Sequence, residues 1–304
     1  MISEIVDRYL QIRRATGCGL KVIEPLLRNF ANFADRLDQE YVVAQAAIEW
    51  AGQSQSPFQR DRRLKTVIRF ARYAHAEDIR HEIPPDGVFG TQPRQRPVPF
   101  IFSVDEITRL MNVASRHHLR NTLLPHTYNT LFGLLAATGL RVSEAFNLRM
   151  DDVTPDGLLI RMTKFRKTRL VPLHETTTAA LEQYIAKRRL VSSPENYLFI
   201  SLRGNRLCYR SVCGVFHSCL RAAGIQRQTS VPKPRLHSFR HTFIVRALEN
   251  CPFEPDRINQ HMLALTTYAG HSSVESTLWY LEATPHLLCG IAKAWEAFVW
   301  GGGQ

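Results

Sequence analysis

The sequence predicts a mainly α-helical protein with one small antiparallel β-sheet, built as a helical N-terminal domain and a larger, mixed α/β C-terminal domain. Three observations predict it. Apolar residues recur at helical spacing through the first ninety positions, a proline-rich basic connector follows at 91–99, and strand-like alternation appears at 157–163 and 168–173 inside an otherwise helical stretch. With 304 residues, 44% of them apolar, the chain can close two cores and is too apolar to be disordered throughout.

The elements follow in order. Ile5, Tyr9 and Ile12 form a first apolar stripe, and Val22, Leu26, Leu27, Phe30 and Phe33 a second. Tyr41–Trp50 and Leu64–Ala74 supply a third and a fourth, while Gly17, Gly19, the 52–57 stretch and Pro84-Pro85-Asp86-Gly87 interrupt them. The connector, with prolines at 93, 97 and 99, is extended and semi-rigid, so the boundary is set at 1–90 for the helical domain, 91–102 for the linker and 103–304 for the second domain. Ser103 and Glu106 have the spacing of a capping box that opens a helix. Residues 127–138 form a helix ending near Gly139, with Ser143 capping the next. The two strands enclose a turn from Lys164 to Lys167, and helices resume beyond them. A final helix over 284–300 carries Leu287, Leu288, Ile291, Trp295 and Phe298 on one broad face.

Charge narrows the function classes. The net charge is +12, and it is uneven: residues 1–92 balance at +1 and residues 93–304 at +11. A basic surface of that size favours a polyanion, nucleic acid being the commonest. The six cysteines form no Cys-x-x-Cys pair, so Cys208, Cys213 and Cys219, with His217, read as helix-core thiols rather than a metal site. The N-terminus places Glu4, Asp7 and Arg8 where a signal peptide needs an apolar run. Residues 121–140 lack charge but include Asn121, Pro125, His126 and Asn129, which fits a core helix better than a membrane span. A soluble, cytoplasmic protein with no membrane partner is expected.

Four segments carry chemistry. In Thr138-Gly139-Leu140-Arg141-Val142-Ser143-Glu144 the arginine sits in a turn between helices, where a guanidinium can grip a phosphate with two hydrogen bonds. Lys164-Phe165-Arg166-Lys167 projects cations from a hairpin, and Lys164 can protonate a leaving oxygen if its pKa is lowered. His237-Ser238-Phe239-Arg240 places an acid/base and a cation three residues apart on one helix face, leaving the next residue, His241, as a structural position. In Gly270-His271 through Tyr280, nine residues separate the histidine from the tyrosine. Nine steps of about 100° would set the two on opposite faces of an unbroken helix. To reach one phosphate, His271 must lie off the helix, with Ser272 and Glu275 spaced as the cap that starts it.

Together these segments resemble the tyrosine recombinase (phage integrase) family, which carries an Arg, a hairpin Lys, His-x-x-Arg, then Gly-His with a Tyr nine residues beyond. The matching positions are Arg141, Lys164, His237, Arg240, His271 and Tyr280, and Glu144 matches an acidic position that supports the arginine. The resemblance covers residues 100–285 by motif, while the N-terminal helices match the family's core-binding domain only in kind. It implies a DNA strand-exchange enzyme. Arg141 and Arg240 would clamp the phosphate, Tyr280 attack it to form a 3′-phosphotyrosyl bond, Lys164 protonate the 5′ oxygen, His237 help remove the tyrosine proton and His271 hydrogen-bond the phosphate. One ester replaces another, so neither ATP nor a metal is expected. The implied partner is a duplex recombination site held by a homotetramer, with related recombinases as further partners the resemblance allows. Phosphate-contact candidates are Arg166, Lys167, Arg203, Arg206, Arg210 and the Lys187-Arg188-Arg189 run. Integration or transposition of a mobile element is the leading role, because the residues after Tyr280 depart from the Tyr-Thr-His ending common in Xer-type members. Xer-type resolution, a catalytically weak DNA-binding accessory protein of the same fold, and type IB topoisomerase activity are the alternatives.

Overall fold

The computed structural model describes residues 1–17, 19–90, 98–116, 123–161, 168–225, 232–251, 255–271 and 273–283, leaving aside the side chains of 255, 256, 282 and 283. It divides into two compact units, Met1–Arg96 and Pro97–Gln304.

The first unit consists of α1 (Ile2–Ala15), α2 (Ile23–Asp35), α3 (Ala44–Gly52) and α4 (Pro57–Glu77). Pro57 occupies the first turn of α4, where a missing N–H costs nothing. Phe30 packs edge-to-face on Trp50 at 5.4 Å between ring centres, and Tyr9 does the same on Phe70 at 5.6 Å. The Trp50 indole N–H is satisfied by Asn29 Oδ1 at 2.8 Å. Two stripes differ from the sequence expectation. The buried face of α1 is Ile2, Val6, Tyr9 and Leu10, with Ile12 exposed, and Val22 lies exposed just ahead of α2. Tyr9 belongs to both possible stripes, and packing selects the one running toward the N-terminus.

The second unit begins with α5 (Val104–Ala114), whose capping box forms as the spacing predicts: Ser103 Oγ accepts from the Glu106 N–H and Glu106 Oε2 from the Ser103 N–H. The central element is α6 (Leu124–Thr138), buried on nearly every side and packed against α5, against α7 (Val142–Asn147), against α8 (Glu175–Arg188) and against α10 (Ser238–Glu249). It ends at Gly139, whose φ of +59° is left-handed and whose missing Cβ leaves room for Phe243, 2.5 Å from where that carbon would stand. Ser143 falls inside α7 rather than ahead of it. The N-cap position is Arg141, whose backbone N–H bonds Glu144 Oε2 at 3.0 Å.

After a 3₁₀ turn at Met150–Asp152 come β1 (Val153–Thr154), β2 (Gly157–Ile160) and β3 (Arg169–Val171), an antiparallel sheet of order β1-β2-β3 in which Ile160 faces Arg169 and Leu158 faces Val171. The strands are shorter than the alternation suggested, and residues 162–167 of the turn, Lys164, Arg166 and Lys167 among them, lie outside the described residues. Helix α9 (Tyr209–Ala222) buries Cys219 fully and Cys213 in part, but leaves Cys208 exposed at its N-cap, so only part of the thiol cluster is core. Phe102, Phe132, Phe216 and Phe239 form the aromatic centre of this unit.

Helix α10 joins two cores. Its first turn adds Phe239 to the aromatic centre, while Ile244, Val245 and Leu248 pack with α11 (Pro255–Ala269) and α12 (Glu275–Ala283) around Leu265, Ala269 and Tyr280. Arg240 and His241 therefore sit where the two cores meet. The final helix expected over 284–300 lies outside the described residues, and among these no helix is long and apolar enough to cross a membrane.

Candidate active site

The site forms where α6 ends, α10 begins and α11 gives way to α12. Gly139 and Gly270, both left-handed, end α6 and α11, and each offers its carbonyl to a guanidinium. Arg240, 2% exposed, donates to Gly139 O and Ala269 O, both at 2.8 Å. Arg141 donates to Glu144 Oε1 at 2.7 Å and to Gly270 O at 2.6 Å. The two arginines thus bind neighbouring carbonyls of one turn. Burial, then repulsion from Arg141, takes the Arg240 pKa down to about 10, so it stays charged at neutral pH.

A third guanidinium, missed in the sequence, completes the group. Arg169 of β3 makes a two-pronged contact with Glu144, at 3.0 Å to Oε1 and 2.9 Å to Oε2, and its Nε donates to Tyr268 O at 2.9 Å. Burial alone would raise the Glu144 carboxyl, but Arg169 and Arg141 together hold it below the usual range. Two guanidinium groups hold the one carboxylate and Arg240 adds a third cation held by carbonyls, leaving a local excess of positive charge suited to an anion. A Cβ on Gly270 would stand 2.8 Å from the Arg169 guanidinium carbon, so the close approach needs glycine there. A signal was present: strand alternation puts Arg169 and Val171 on one face, and a charged residue at an inward position marks a buried partner.

His271 lies off the helix, as the nine-residue spacing requires, in the turn between α11 and α12. Its ring runs nearly parallel to that of Tyr280, 6.5 Å away, and its Nδ1 is 2.8 Å from Thr277 Oγ1. Burial first, then Arg240 and Arg141, bring its pKa down to about 4. Tyr280 is buried, and its hydroxyl meets Nδ1 of His241 at 2.8 Å. The ring beside the phenol is therefore His241, a position that spacing alone marks as structural. Residues 237 and 241 are one helical turn apart and share a face, which was the available signal. Their rings pack edge-to-face at 4.7 Å. His237 keeps an exposed edge, yet the surrounding protein, followed by Arg240 and Arg141, takes its pKa down to about 4. Ser272 lies outside the described residues.

Arg141 and His237 open onto a cleft of about 760 Å³ that Asn147, Arg206 and Tyr209 also line. Of the expected phosphate contacts, Arg203 and Arg210 are exposed, and Arg206 donates to Asn147 Oδ1 at the cleft wall. Arg188 is a correction. It is buried and donates to Tyr197 O and Val191 O, so it holds the loop after α8 and cannot face DNA. Lys187 contacts His126 at 2.8 Å, and Arg189 is exposed.

A sequence profile described as the phage integrase family matches residues 101–286, more than half of the chain and the whole of this site. The chain belongs to the phage integrase family. Its members, the tyrosine recombinases, are site-specific recombinases, and the chain is an enzyme of that class. It is 38% identical to a putative integrase/recombinase, y4rB, of Sinorhizobium fredii (strain NBRC 101917 / NGR234), over 94% of each chain. It is 31% identical to the tyrosine recombinase XerD of Oceanobacillus iheyensis, over 73% of this chain and 70% of that one. Among solved structures, XerH recombinase bound to a palindromic difH substrate covers 97% of this phage integrase family chain at a TM-score of 0.67 and 17% identity, with 85% of its own length matched. The Tn1549 transposon integrase in complex with circular intermediate DNA covers 91% at 0.61 and 18%, with 94% of its own length matched. At such identities these two structures establish the tyrosine recombinase fold, mostly helical with a small antiparallel sheet.

Proposed function

We propose that this recombinase cleaves and rejoins duplex DNA through a covalent 3′-phosphotyrosyl bond at Tyr280. The observation that carries the reading is the convergence of Arg141, Arg240, His271 and Tyr280 on one turn, with Arg141 and His237 facing an open cleft. A phosphodiester in that cleft exchanges the carbonyl contacts of the two arginines for its non-bridging oxygens, and the paired charges grow more valuable as negative charge builds in the transition state. The Tyr280 oxygen attacks phosphorus, and the P–O5′ bond breaks with its electron pair leaving on the 5′ oxygen. Lys164 is the group assigned to protonate that oxygen, and His271 to hydrogen-bond the phosphate. Rejoining runs the same steps in reverse, so no ester bond energy is lost. The partner is a duplex recombination site, gripped in part through Arg203, Arg206 and Arg210 and bound by four copies of the chain, and the enzyme acts in the cytoplasm. Arg166, Lys167 and Arg189 remain further candidates for phosphate contact, and residues 1–90 for a DNA-binding domain.

The biological role is integration or transposition of a mobile element. Similarity to two putative integrase/recombinases of one Sinorhizobium fredii strain runs over 94% and 99% of this chain, whereas that to the Oceanobacillus XerD stops at 73%. A nicked duplex that loses its short downstream strand on cleavage tests the chemistry. Wild-type protein is expected to give an adduct that survives SDS, and Tyr280→Phe to bind DNA without forming one. An adduct that persists in Tyr280→Phe would overturn the assignment.

A further inference from the structure

We propose that His241 is the catalytic residue that takes the phenol proton of Tyr280, the role that the family resemblance implies for His237. The inference rests on the reading of Tyr280 as nucleophile. Its observation is direct: His241 Nδ1 stands 2.8 Å from the phenol oxygen, within the reach a general base requires. The contact is set by packing rather than by a mobile side chain. His241 sits on the second turn of α10, its ring against His237 at 4.7 Å on one side and against Trp279 at 6.1 Å on the other. Tyr280 is itself fixed in the small core formed by α10, α11 and α12. His237, by contrast, faces the cleft beside Arg141, where the phosphate enters.

The step balances as follows. The Tyr280 O–H bond breaks and its proton moves to His241 Nδ1. The phenolate oxygen bonds phosphorus, the P–O5′ bond breaks, and the departing 5′ oxygen takes a proton from the acid already assigned. Rejoining returns the proton from His241 to Tyr280.

The surroundings explain why the base is idle until DNA arrives. The charged and titratable groups facing His241 are His237 and Arg240 from its own helix and Tyr280 from α12, with His271 beyond the phenol. Burial, then His237, then Arg240 hold the His241 pKa at about 3, so the ring is neutral and its basicity suppressed. A phosphodiester anion between Arg141 and Arg240 opposes those cations and raises the basicity of the ring as the substrate binds. The phenol is thus kept protonated in the free enzyme, which guards an otherwise reactive group.

The test uses the full chain and a nicked duplex, reading the single-turnover rate of adduct formation. His241→Gln is expected to lower the rate about 10²-fold or more, the usual scale for losing a general base, with duplex binding retained. Replacing Tyr280 by a fluorinated tyrosine, whose phenol ionises more readily, should recover about tenfold of that loss, because an easier proton needs less help. The same replacement in His237→Gln should recover none, an asymmetry that a purely structural role for His241 would not produce. Equal recovery in both backgrounds, or a wild-type rate in His241→Gln, overturns the proposal. Should His241→Gln fail to fold, the imidazole ¹⁵N signals of the free wild-type protein decide. Nδ1 of His241 should report an accepted hydrogen bond that vanishes in Tyr280→Phe, and an unchanged signal counts against it. An adduct surviving in Tyr280→Phe defeats the nucleophile reading. An adduct that needs Tyr280 but ignores His241→Gln defeats this inference alone.

Discussion

In the Met1–Arg96 unit the interior is built from Trp50, Phe30, Phe70, Leu27 and Leu10, and the buried polar side chains among the described residues are Thr66 and His81. In the Pro97–Gln304 unit the interior also holds Glu144, Asp152, Arg188 and Arg240. Burying apolar surface stabilises a fold by about 25 cal/mol per Å², whereas burying a charge is costly unless it is paired and hydrogen-bonded. Although Arg13 Nε, Asp35 Oδ1, Gln39 Oε1 and Arg63 Nε lie buried without a hydrogen-bond partner, the first unit follows the cheaper course in its fully buried core. The second does not, and its charges are matched with care: Arg240 by two carbonyls, Glu144 by two guanidinium groups, Arg188 by Tyr197 O and Val191 O. The teaching is that stability alone does not account for this unit. Hydrophobic residues would fill the Arg240 position at lower cost. A held cation beside a held carboxylate makes sense where an anion must be bound and its charge stabilised.

Several changes would break or sharpen this contrast. The largest effect is expected from Glu144→Gln, which leaves Arg169 and Arg141 without their carboxylate. Breaking a buried pair costs about 3–5 kcal/mol, so thermal unfolding should shift markedly downward and adduct formation should fail. Phe30→Ala should cost a similar ~3–5 kcal/mol in unfolding experiments, by cavity formation. Its signature differs: below its melting temperature and at saturating duplex, adduct formation should keep near its wild-type rate. A loss of chemistry as deep as that of Glu144→Gln would erase the distinction between the units. Arg240→Lys keeps a charge but not the two-pronged geometry, and adduct formation should fall about 10²–10³-fold, the scale for losing one oriented donor at a developing charge.

pH gives a smaller and graded effect. His241 and His271 ionise in the folded protein at about 3 and about 4, below an ordinary histidine value of 6.5. The unfolded chain therefore binds more protons than the native one as pH falls from about 6.5 toward 4, and stability drops across that window. Glu144, whose carboxyl is held low, adds stability present above its ordinary value of 4.5 and lost as pH falls further. Melting temperatures should decline on acidification, and His271→Gln with His241→Gln should flatten the part above pH ~4.5. The first unit has one comparable group, His81, lowered by burial, and should contribute less to the slope. The smallest effect is expected from Arg28→Ala, whose partners Asp7 and Glu24 lie at the surface, and which should leave the melting temperature unchanged within error.

How far this was legible in the sequence depends on what each feature required. Local signals were readable. The Ser103–Glu106 cap, the Gly139 terminus and the displacement of His271 from the Tyr280 helix all follow from spacing and backbone preference. The N-terminal stripes were legible as helices but not as faces, because Tyr9 satisfies two registers and only tertiary packing chooses between them. Ser143 looked like a cap because of its chemistry, yet Glu144 reaches back to the Arg141 N–H and fixes the helix start two positions earlier. Arg188 looked like a phosphate contact because it lies in a basic run, and sequence cannot say which member of such a run turns inward. His241 and Arg169 were missed because each acts through a contact with a residue far along the chain. Tyr280 is 39 residues from His241, and Glu144 is 25 from Arg169.

The most direct test of the account is chemical mapping of the trapped intermediate. The SDS-stable adduct would be digested with protease and nuclease and the nucleotide-bearing peptide sequenced by mass spectrometry. The account predicts a single phosphodiester-linked nucleotide on the Tyr280 phenol, joined through the 3′ phosphate. A nucleotide carried by any other residue, or joined through a 5′ phosphate, would contradict it.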